Sequence, residues 1–592
     1  MSPTRSEKYS LMMPTQLLHA LAVVLLPSLA HALDNGVGLT PAMGYNTWDD
    51  FRCGGINASN LYKVADAMVK NGLPAYGYKY VSLDDCWAKS RDAATGVIQP
   101  DPVAFPDGMK KVVDYVHSKG LLFGIYTDRG EKTCVGRPGS AGYETLDAQT
   151  YAAWGVDYVK EDSCNATGDH NASFAQYGLM RDALNATGRQ IYFDLCGWSS
   201  WYAPVGSTLG NAWRVGYDVN NWAGVLNNAI SVDKNLAQFA GPGGFNDIDA
   251  LIGTSVDTAV HLTQTQSRTQ FNLWVMLSAQ LIIGGSILNL NTFDLQTYTN
   301  KPMIAINQDV LGKQAILQMQ HTQKSTNAND PSIQQIWLKQ LSGGRYAVAF
   351  VNTTNSSTPP PPARRRSWSF SAAARVNDAD DADDVGDADA SAQLALAPCN
   401  SSDPAQQWNV SAADPSTGDV TVSTLADTDG TVYKPTQAHC LEVNACNYNP
   451  GGQVDSHYAC KKLPAKGSTD KCAANMAWKL GKGGALSAAF SPSLCLEVMG
   501  GGSLSTCDGS KAQSWTRKGQ QLESGTGFGC LSNGAPGGDA PTVLSFNVER
   551  LGWKTATFID MWSGKAVTAA SINSEVSRGD GVSQVFLLTK KS

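Results

Sequence analysis

Between residues 33 and about 310 the chain repeats one unit: a short apolar strand ending in polar or charged residues, a loop, then an amphipathic helical stretch. The strands expected from this pattern are Pro41–Tyr45, Tyr80–Asp85, Leu121–Asp128, Asp157–Asp162, Gln190–Cys196, Ala212–Asp218, Gly244–Leu251 and Gln280–Leu288. Helical spacing is read between them, for example at Ser59–Lys70, Gly108–Lys119, Phe174–Leu184, Gly224–Leu236 and Thr258–Met276. Eight such units predict an α/β fold, a (β/α)8 TIM barrel. The alternative is a doubly wound open sheet, which usually has a glycine-rich phosphate loop after its first strand. Met43-Gly44-Tyr45-Asn46 is not such a loop.

Barrel enzymes keep their chemistry at the C-terminal ends of the strands. Those ends carry Trp48, Asp84 and Asp85, Tyr126 and Asp128, Lys160 and Asp162, Arg214 and Asp218, then Asp247 and Asp249. In the fourth strand, Tyr158, Lys160 and Asp162 share one face and Glu161 takes the other. A structural ion pair near a strand end is the bland reading of Lys160 and Asp162. Acids at five of eight strand ends, interleaved with aromatics, instead suit a polyhydroxylated ligand. Carboxylates accept hydrogen bonds from sugar hydroxyls, and aromatic faces cover sugar C–H surfaces. Metal binding is the competing use of clustered acids, but no His or Cys ligand spacing supports it, so no metal or cofactor is expected. Two acids in one pocket suit glycoside hydrolysis, one attacking the anomeric carbon and the other exchanging a proton with the leaving oxygen and then with water.

A chain of 592 residues is too long for one core. The formal charge of -7 and the absence of a broad basic patch argue against a nucleic-acid partner. Residues 1–32 combine Arg5 and Lys8, an apolar run from Leu17 to Leu29 and Ala30-His31-Ala32, the pattern of a secretory signal peptide. A membrane anchor is the alternative, although the run is short for a spanning helix. Thirteen cysteines and sequons such as Asn57, Asn165 and Asn352 fit a secreted, extracellular protein, with lysosomal or vacuolar delivery as the alternative.

The ordered motifs resemble glycoside hydrolase family 27, the α-galactosidases and α-N-acetylgalactosaminidases. Pro41-Ala42-Met43-Gly44-Tyr45-Asn46-Thr47-Trp48, Asp84-Asp85-Cys86-Trp87, Phe123 to Asp128, Lys160-Glu161-Asp162-Ser163-Cys164, Trp213-Arg214-Val215-Gly216-Tyr217-Asp218 and Gly241 to Asp249 carry the likeness. The resemblance implies a retaining double displacement with Asp162 as nucleophile and Asp218 as acid/base, about 5–5.5 Å apart. It also implies that Asp84 and Asp85 hold the 4- and 6-hydroxyls. Lys160 would bridge hydroxyls beside Asp162 and keep that carboxylate ionised. Arg214 and Asp249 would complete the polar wall, Trp48 the apolar floor, and Tyr126 would stand beside the nucleophile. Cys196, Gly197 and Trp198 would line the 2-hydroxyl side. Relatives usually place Glu where Gly197 stands, so galactose versus N-acetylgalactosamine is left open at this point. Trp198, Trp201 and Tyr202 are the side chains able to refill the space. Glu161 replaces an apolar or aromatic residue, and an ion pair with the helix layer is expected for it. The same resemblance implies disulfides Cys53–Cys86 and Cys134–Cys164, with Cys196 a free buried thiol.

The domain reading is 33–315 for the catalytic barrel and 316–356 with 539–592 for a C-terminal antiparallel β-sandwich. A Pro-rich and acidic linker takes 357–390, and an insertion 391–538. The insertion resembles a ricin-type β-trefoil lectin through Cys440-Leu441-Glu442, Cys495-Leu496-Glu497 with Gln513-Ser514-Trp515, and Gln406-Gln407-Trp408 with Cys530-Leu531-Ser532. One repeat is thereby assembled from both ends of the insertion. The pairings implied are Cys399–Cys530, Cys440–Cys460 and Cys495–Cys507, with Cys446–Cys472 as the fourth. The expected partner is a galactosylated oligosaccharide or glycoconjugate. A glycan on the trefoil is a second partner reading, and a lectin-like protein with an inactive barrel is the rival from another class.

Overall fold

The computed structural model describes residues 33, 35–232, 236–255, 262–323, 332–353, discontinuous segments within 395–532, and 544–573 with 582–591. The expected signal peptide and the Pro-rich and acidic linker fall outside the described residues. So do Cys399, Cys446, Cys460 and Cys472.

Eight strands form one parallel sheet: β1 (Met43–Asn46), β2 (Tyr80–Leu83), β3 (Leu122–Asp128), β4 (Tyr158–Asp162), β5 (Tyr192–Leu195), β6 (Ala212–Arg214), β7 (Phe245–Asp247) and β8 (Leu281–Ile283). From β1 to β7 each pairs in parallel with the next, and β8 pairs with β1. The ring closes where Leu251, just past β7, bridges Ile283 of β8 and donates its N–H to the Ile282 carbonyl at 2.7 Å. The helices between them are α1 (Ala58–Lys70), α2 (Met109–Ser118), α3 (Glu144–Trp154), α4 (His170–Ala186), α5 (Ala203–Leu209), α6 (Trp222–Ser231) and α7 (Gln264–Met276), with α8 (Thr292–Tyr298) and α9 (Lys301–Asn307) after β8. This is the (β/α)8 barrel the sequence predicts.

Local chemistry sets these elements. In α1, Leu61, Val64, Ala65 and Met68 recur at spacings of three and four and all are buried. The Asn57 side chain accepts the Asn60 N–H at 2.9 Å and starts the helix. Replacing it by alanine would cost about 1 kcal/mol. Gly44 on β1 has to be small, because a Cβ there would lie 2.4 Å from the Tyr80 carbonyl oxygen of the neighbouring strand.

After the barrel, β9 (Ile316–Gln323), β10 (Ser332–Leu341) and β11 (Arg345–Asn352) form an antiparallel meander. They continue in the same sheet with β12 (Ala556–Asp560), β13 (Ala566–Ala569) and β14 (Val582–Lys590), in the order β9-β10-β11-β14-β12-β13. One sheet is thus built from two stretches of chain flanking residues 353–555. It docks on α7. The Lys339 ammonium donates to the Val275 carbonyl and to Ser278 Oγ at 2.8 Å each, capping the C-terminal end of that helix. The Trp562 indole donates to Asn272 Oδ1 at 3.2 Å, and Arg268 lies over the Trp562 ring at 4.3 Å.

Within 395–532 the described strands are short. Those at the two ends pair with each other, Ala397 opposite Cys530. Three buried tryptophans repeat one contact. Trp408 donates its indole N–H to the Leu531 carbonyl at 2.8 Å, Trp478 to Leu441 at 2.9 Å and Trp515 to Leu496 at 3.4 Å.

Candidate active site

A cavity of about 500 Å³ opens at the C-terminal ends of the barrel strands. Of the residues singled out from sequence, Trp48, Asp84, Asp85, Tyr126, Lys160, Asp162, Trp198, Arg214, Asp218 and Asp249 all line it. Cys196 and Gly197 do not, and they stand behind the wall.

Asp162 ends β4 and is 6 % exposed. Its Oδ2 accepts the Tyr126 hydroxyl at 2.8 Å, and its Oδ1 accepts the Ser163 N–H at 2.9 Å. Both donors stabilise the anion. Burial outweighs them, together with the Lys160 charge, so the carboxyl is held above its ordinary pKa. Lys160 does not rest on Asp162. Its ammonium bonds Asp84 Oδ2 at 2.8 Å, where Asn46 Nδ2 also donates at 2.8 Å. The Lys160 charge acts on Asp162 in the expected direction, favouring the anion, while burial sets the net rise. Asp84 and Asp85 are pinned in turn. Asp84 Oδ1 accepts the Asp85 N–H at 2.9 Å, and Asp85 Oδ1 accepts the Cys86 N–H at 2.6 Å.

Asp218 sits on the irregular loop after β6, its side chain 56 % exposed. Burial raises its pKa, but Arg214 first and Lys160 second outweigh that, and the net direction is down. Arg214 is 2 % exposed and divides one terminal nitrogen between Asp218 Oδ1 at 2.9 Å and Asp249 Oδ2 at 3.0 Å. Asp249 Oδ2 also accepts the Val219 N–H at 2.7 Å, fixing the Asp218 loop against the end of β7.

The Cys134–Cys164 disulfide is formed and both sulfurs border the cavity, Cys134 Sγ 3.4 Å from Asp162 Oδ2. Cys53–Cys86 is formed as expected. So is Cys495–Cys507 in the insertion. Cys440 is disulfide-bonded. The remaining implied pairings rest on residues outside those described. Cys196 is the free thiol, buried. Asp128, Cys134, Asp162 and Cys164 stand close enough to suggest a metal site. The two sulfurs are spent in a disulfide, so this donor set does not fit a cation.

Behind the wall, a Cβ at Gly197 would fall 2.0 Å from Cε2 of Tyr202. The Tyr202 ring, 1 % exposed, occupies the space that the missing side chain leaves. Glu161 departs further from expectation. It is fully buried, and neither carboxyl oxygen has a hydrogen-bond partner. No ion pair with the helix layer forms among the described residues. Arg129, the cation that lowers its pKa, spends its guanidinium on Ser163 at 3.0 Å, Thr167 at 2.8 Å and Gln176. Burial, then Asp128 and Glu144, push Glu161 well above the usual carboxylate range.

Asn46, Asp49, Asp194 and Tyr217 are among the lining residues not singled out as candidates. Asn46 orients Asp84. Asp49, beside Trp48, is pushed up to about 7 by burial and then by Asp249, and Arg52 pairs with it at 3.1 Å. Asp194 lies within β5, also raised to about 7 by burial and then by Asp247, and accepts the Tyr158 hydroxyl at 2.6 Å. Tyr217 adjoins Asp218. The inward face of β5 offered a signal for Asp194, since a carboxylate inside an apolar strand is costly unless it faces a cavity.

A family model described as Alpha galactosidase A matches residues 40–309. The chain is similar to a Dictyostelium discoideum protein named "Probable alpha-galactosidase", 44 % identical over 56 % of this chain and 84 % of that one. It is also similar to Alpha-galactosidase A of Cellvibrio japonicus, 40 % identical over 53 % and 76 %. Among solved structures, an alfa-galactosidase from Saccharomyces cerevisiae superposes with a TM-score of 0.51 at 35 % identity, covering 54 % of this chain and 75 % of that one. A Geobacillus stearothermophilus arabinopyranosidase gives 0.54 over 93 % of this chain at 16 % identity, a likeness of fold alone. With 84 % of a 44 %-identical relative matched, the chain belongs to the alpha galactosidase A family of glycoside hydrolases.

Proposed function

We propose that the protein is a secreted, retaining α-galactosidase that releases terminal α-linked D-galactose. The observation that carries this reading is a two-carboxylate cavity of graded depth. Asp162 is clamped at the bottom by the Tyr126 hydroxyl and the Ser163 N–H, and Asp218 stands at the rim on Arg214. Asp162 attacks the anomeric carbon while Asp218 gives its proton to the glycosidic oxygen. Asp218 then takes a proton from water, which attacks the glycosyl–Asp162 ester. Asp84 and Asp85, each held by neighbouring N–H groups, present fixed acceptors to the sugar's 4- and 6-hydroxyls. The family relatives named as alpha-galactosidases support galactose as the sugar. The packing of Tyr202 against Gly197 supports an unsubstituted 2-hydroxyl, because the glycine opens no room for an N-acetyl group.

We read 391–538 as a β-trefoil set into a β-sandwich, supported by the three matching tryptophan contacts and the paired ends at Ala397 and Cys530. Secretion is supported by the disulfides and the leader-like residues 1–32.

The test is Asp162→Ala assayed on nitrophenyl α-galactoside and nitrophenyl N-acetyl-α-galactosaminide. Loss of activity with an unchanged unfolding midpoint supports the reading, and full activity sinks it. Faster turnover of the galactosaminide by the unaltered enzyme would transfer the assignment to that sugar.

A further inference from the structure

Ser163 donates its N–H to Asp162 Oδ1 from the turn at which the chain leaves β4. A donor orients a carboxylate only as firmly as its own peptide is held. The residue after it is secured separately. The Cys164 N–H is accepted by Asp128 Oδ2 at 2.8 Å, and the Cys134–Cys164 disulfide ties that position to the neighbouring loop.

Ser163 is held through its side chain. Arg129 Nε donates to Ser163 Oγ at 3.0 Å. Ser163 Oγ and the Tyr177 hydroxyl lie 2.7 Å apart, and the Tyr177 hydroxyl lies 3.3 Å from the Glu161 carbonyl. The direction of these bonds follows from their ends. A guanidinium can only donate and a carbonyl can only accept, so Ser163 gives its one proton to Tyr177, and Tyr177 gives its own to Glu161. The relay starts at Arg129 and closes on the residues before and after the nucleophile. None of its three side chains lines the cavity.

Arg129 adds a second hold, because its backbone N–H donates to the Asp162 carbonyl at 3.0 Å. It is 4 % exposed, and its three side-chain nitrogens end on neutral oxygens of Ser163, Thr167 and Gln176. Its sequence neighbour Asp128 turns its own two oxygens to the Gly130 and Cys164 N–H groups. A buried cation set against neutral acceptors is a costly way to stabilise a fold. Here that charge is committed to one turn, and the turn carries the nucleophile.

We propose that Arg129 is a positioning residue for Asp162: acting through Ser163, it fixes the peptide whose N–H orients the attacking carboxylate. This rests on the α-galactosidase reading above, with Asp162 as nucleophile. Asp84 and Asp85, which hold the sugar in that reading, come from the end of β2 and make no bond to this relay among the described residues. Arg129 therefore governs the rate of attack and leaves sugar binding alone.

The test measures kcat on nitrophenyl α-galactoside and inhibition by galactose for the full chain, for Arg129→Met, for Ser163→Ala and for the double variant. Each single change is expected to lower kcat by roughly tenfold or more, the scale of a misplaced reacting group, with galactose inhibition unchanged. The double variant is expected to be no slower than the slower single one, because both changes break the same relay. An unchanged kcat in either single variant, losses that multiply in the double variant, or weakened galactose inhibition overturns the positioning role. Should Arg129→Met not fold, Ser163→Ala, which deletes one hydroxyl, decides by the same kcat and inhibition criteria. An unaltered enzyme inactive on the galactoside overturns the functional reading itself, and the positioning role with it.

Discussion

Glu161→Gln is the substitution whose effect on stability the structure specifies best. Glu161 is the penultimate residue of β4, opposite Thr127 of β3 and Leu195 of β5, with no donor at either carboxyl oxygen among the described residues. Its pKa is raised by burial first, then by Asp128 and Glu144. The folded protein therefore holds this proton to higher pH than the unfolded chain, which gives it up above a pKa of about 4.3. In that interval the folded state binds more protons, so stability falls as pH rises, by about 1.4 kcal/mol per pH unit. Glutamine does not titrate and removes the slope. Relative to the variant, the wild type should lose stability between about pH 5.5 and about pH 7.5, by up to about 2.7 kcal/mol. At about 2 °C per kcal/mol for a domain of this size, the midpoint difference between the two proteins should change by up to about 5 °C. The comparison of two pH values cancels whatever the glutamine amide itself costs. The assay is thermal unfolding of both proteins followed by tryptophan fluorescence across that range. Parallel profiles would show that Glu161 has the same proton occupancy folded and unfolded, and would refute the argument.

Tyr126→Phe deletes the hydroxyl that donates to Asp162 Oδ2. A carboxyl already raised by burial should rise further, shrinking its ionised fraction and lowering kcat/KM across the acid part of the pH–rate profile. In the unaltered enzyme, Asp162 must be ionised while its pKa is raised, and Asp218 must be protonated while its pKa is lowered. The required pair is then the minority form of the free enzyme, so kcat/KM is held down and its optimum is expected on the acid side of neutrality in the same measurement. Arg214→Lys removes the guanidinium that serves Asp218 and Asp249 together. Asp218 should then hold its proton to higher pH, shifting the basic limb upward while kcat falls by roughly tenfold or more.

The barrel was legible because its strands are apolar runs that end abruptly in charge, and a run of β-branched and aromatic residues has few other uses. Strand ends at Asp128 and Asp162 coincide with those read from the pattern, while β6 and β7 stop earlier, at Arg214 and Asp247. There the chain leaves the ladder to wrap the cavity, and Asp249 adopts a positive φ of 82°. The alternation of faces placed Lys160 and Asp162 together in the cavity and Glu161 outside it. It could not say what Glu161 would meet, because that depends on helices packed from elsewhere. Lys160 was placed beside Asp162, but its hydrogen bond to Asp84 was not read, since Asp84 comes from a strand two positions away in the sheet. Tyr217 was quoted as part of a motif, but only the depths of Asp162 and Asp218 reveal which side of the cavity it borders.

The central claim is that Asp162 and Asp218 carry out two displacements on an α-galactoside. Proton NMR of the hydrolysis of nitrophenyl α-galactoside, recorded before the released sugar mutarotates, tests it most directly. The account predicts α-galactose as the first-formed product, since two inversions at the anomeric carbon restore its configuration. First-formed β-galactose would mean a single displacement by water and would contradict the assignment of Asp162 as nucleophile.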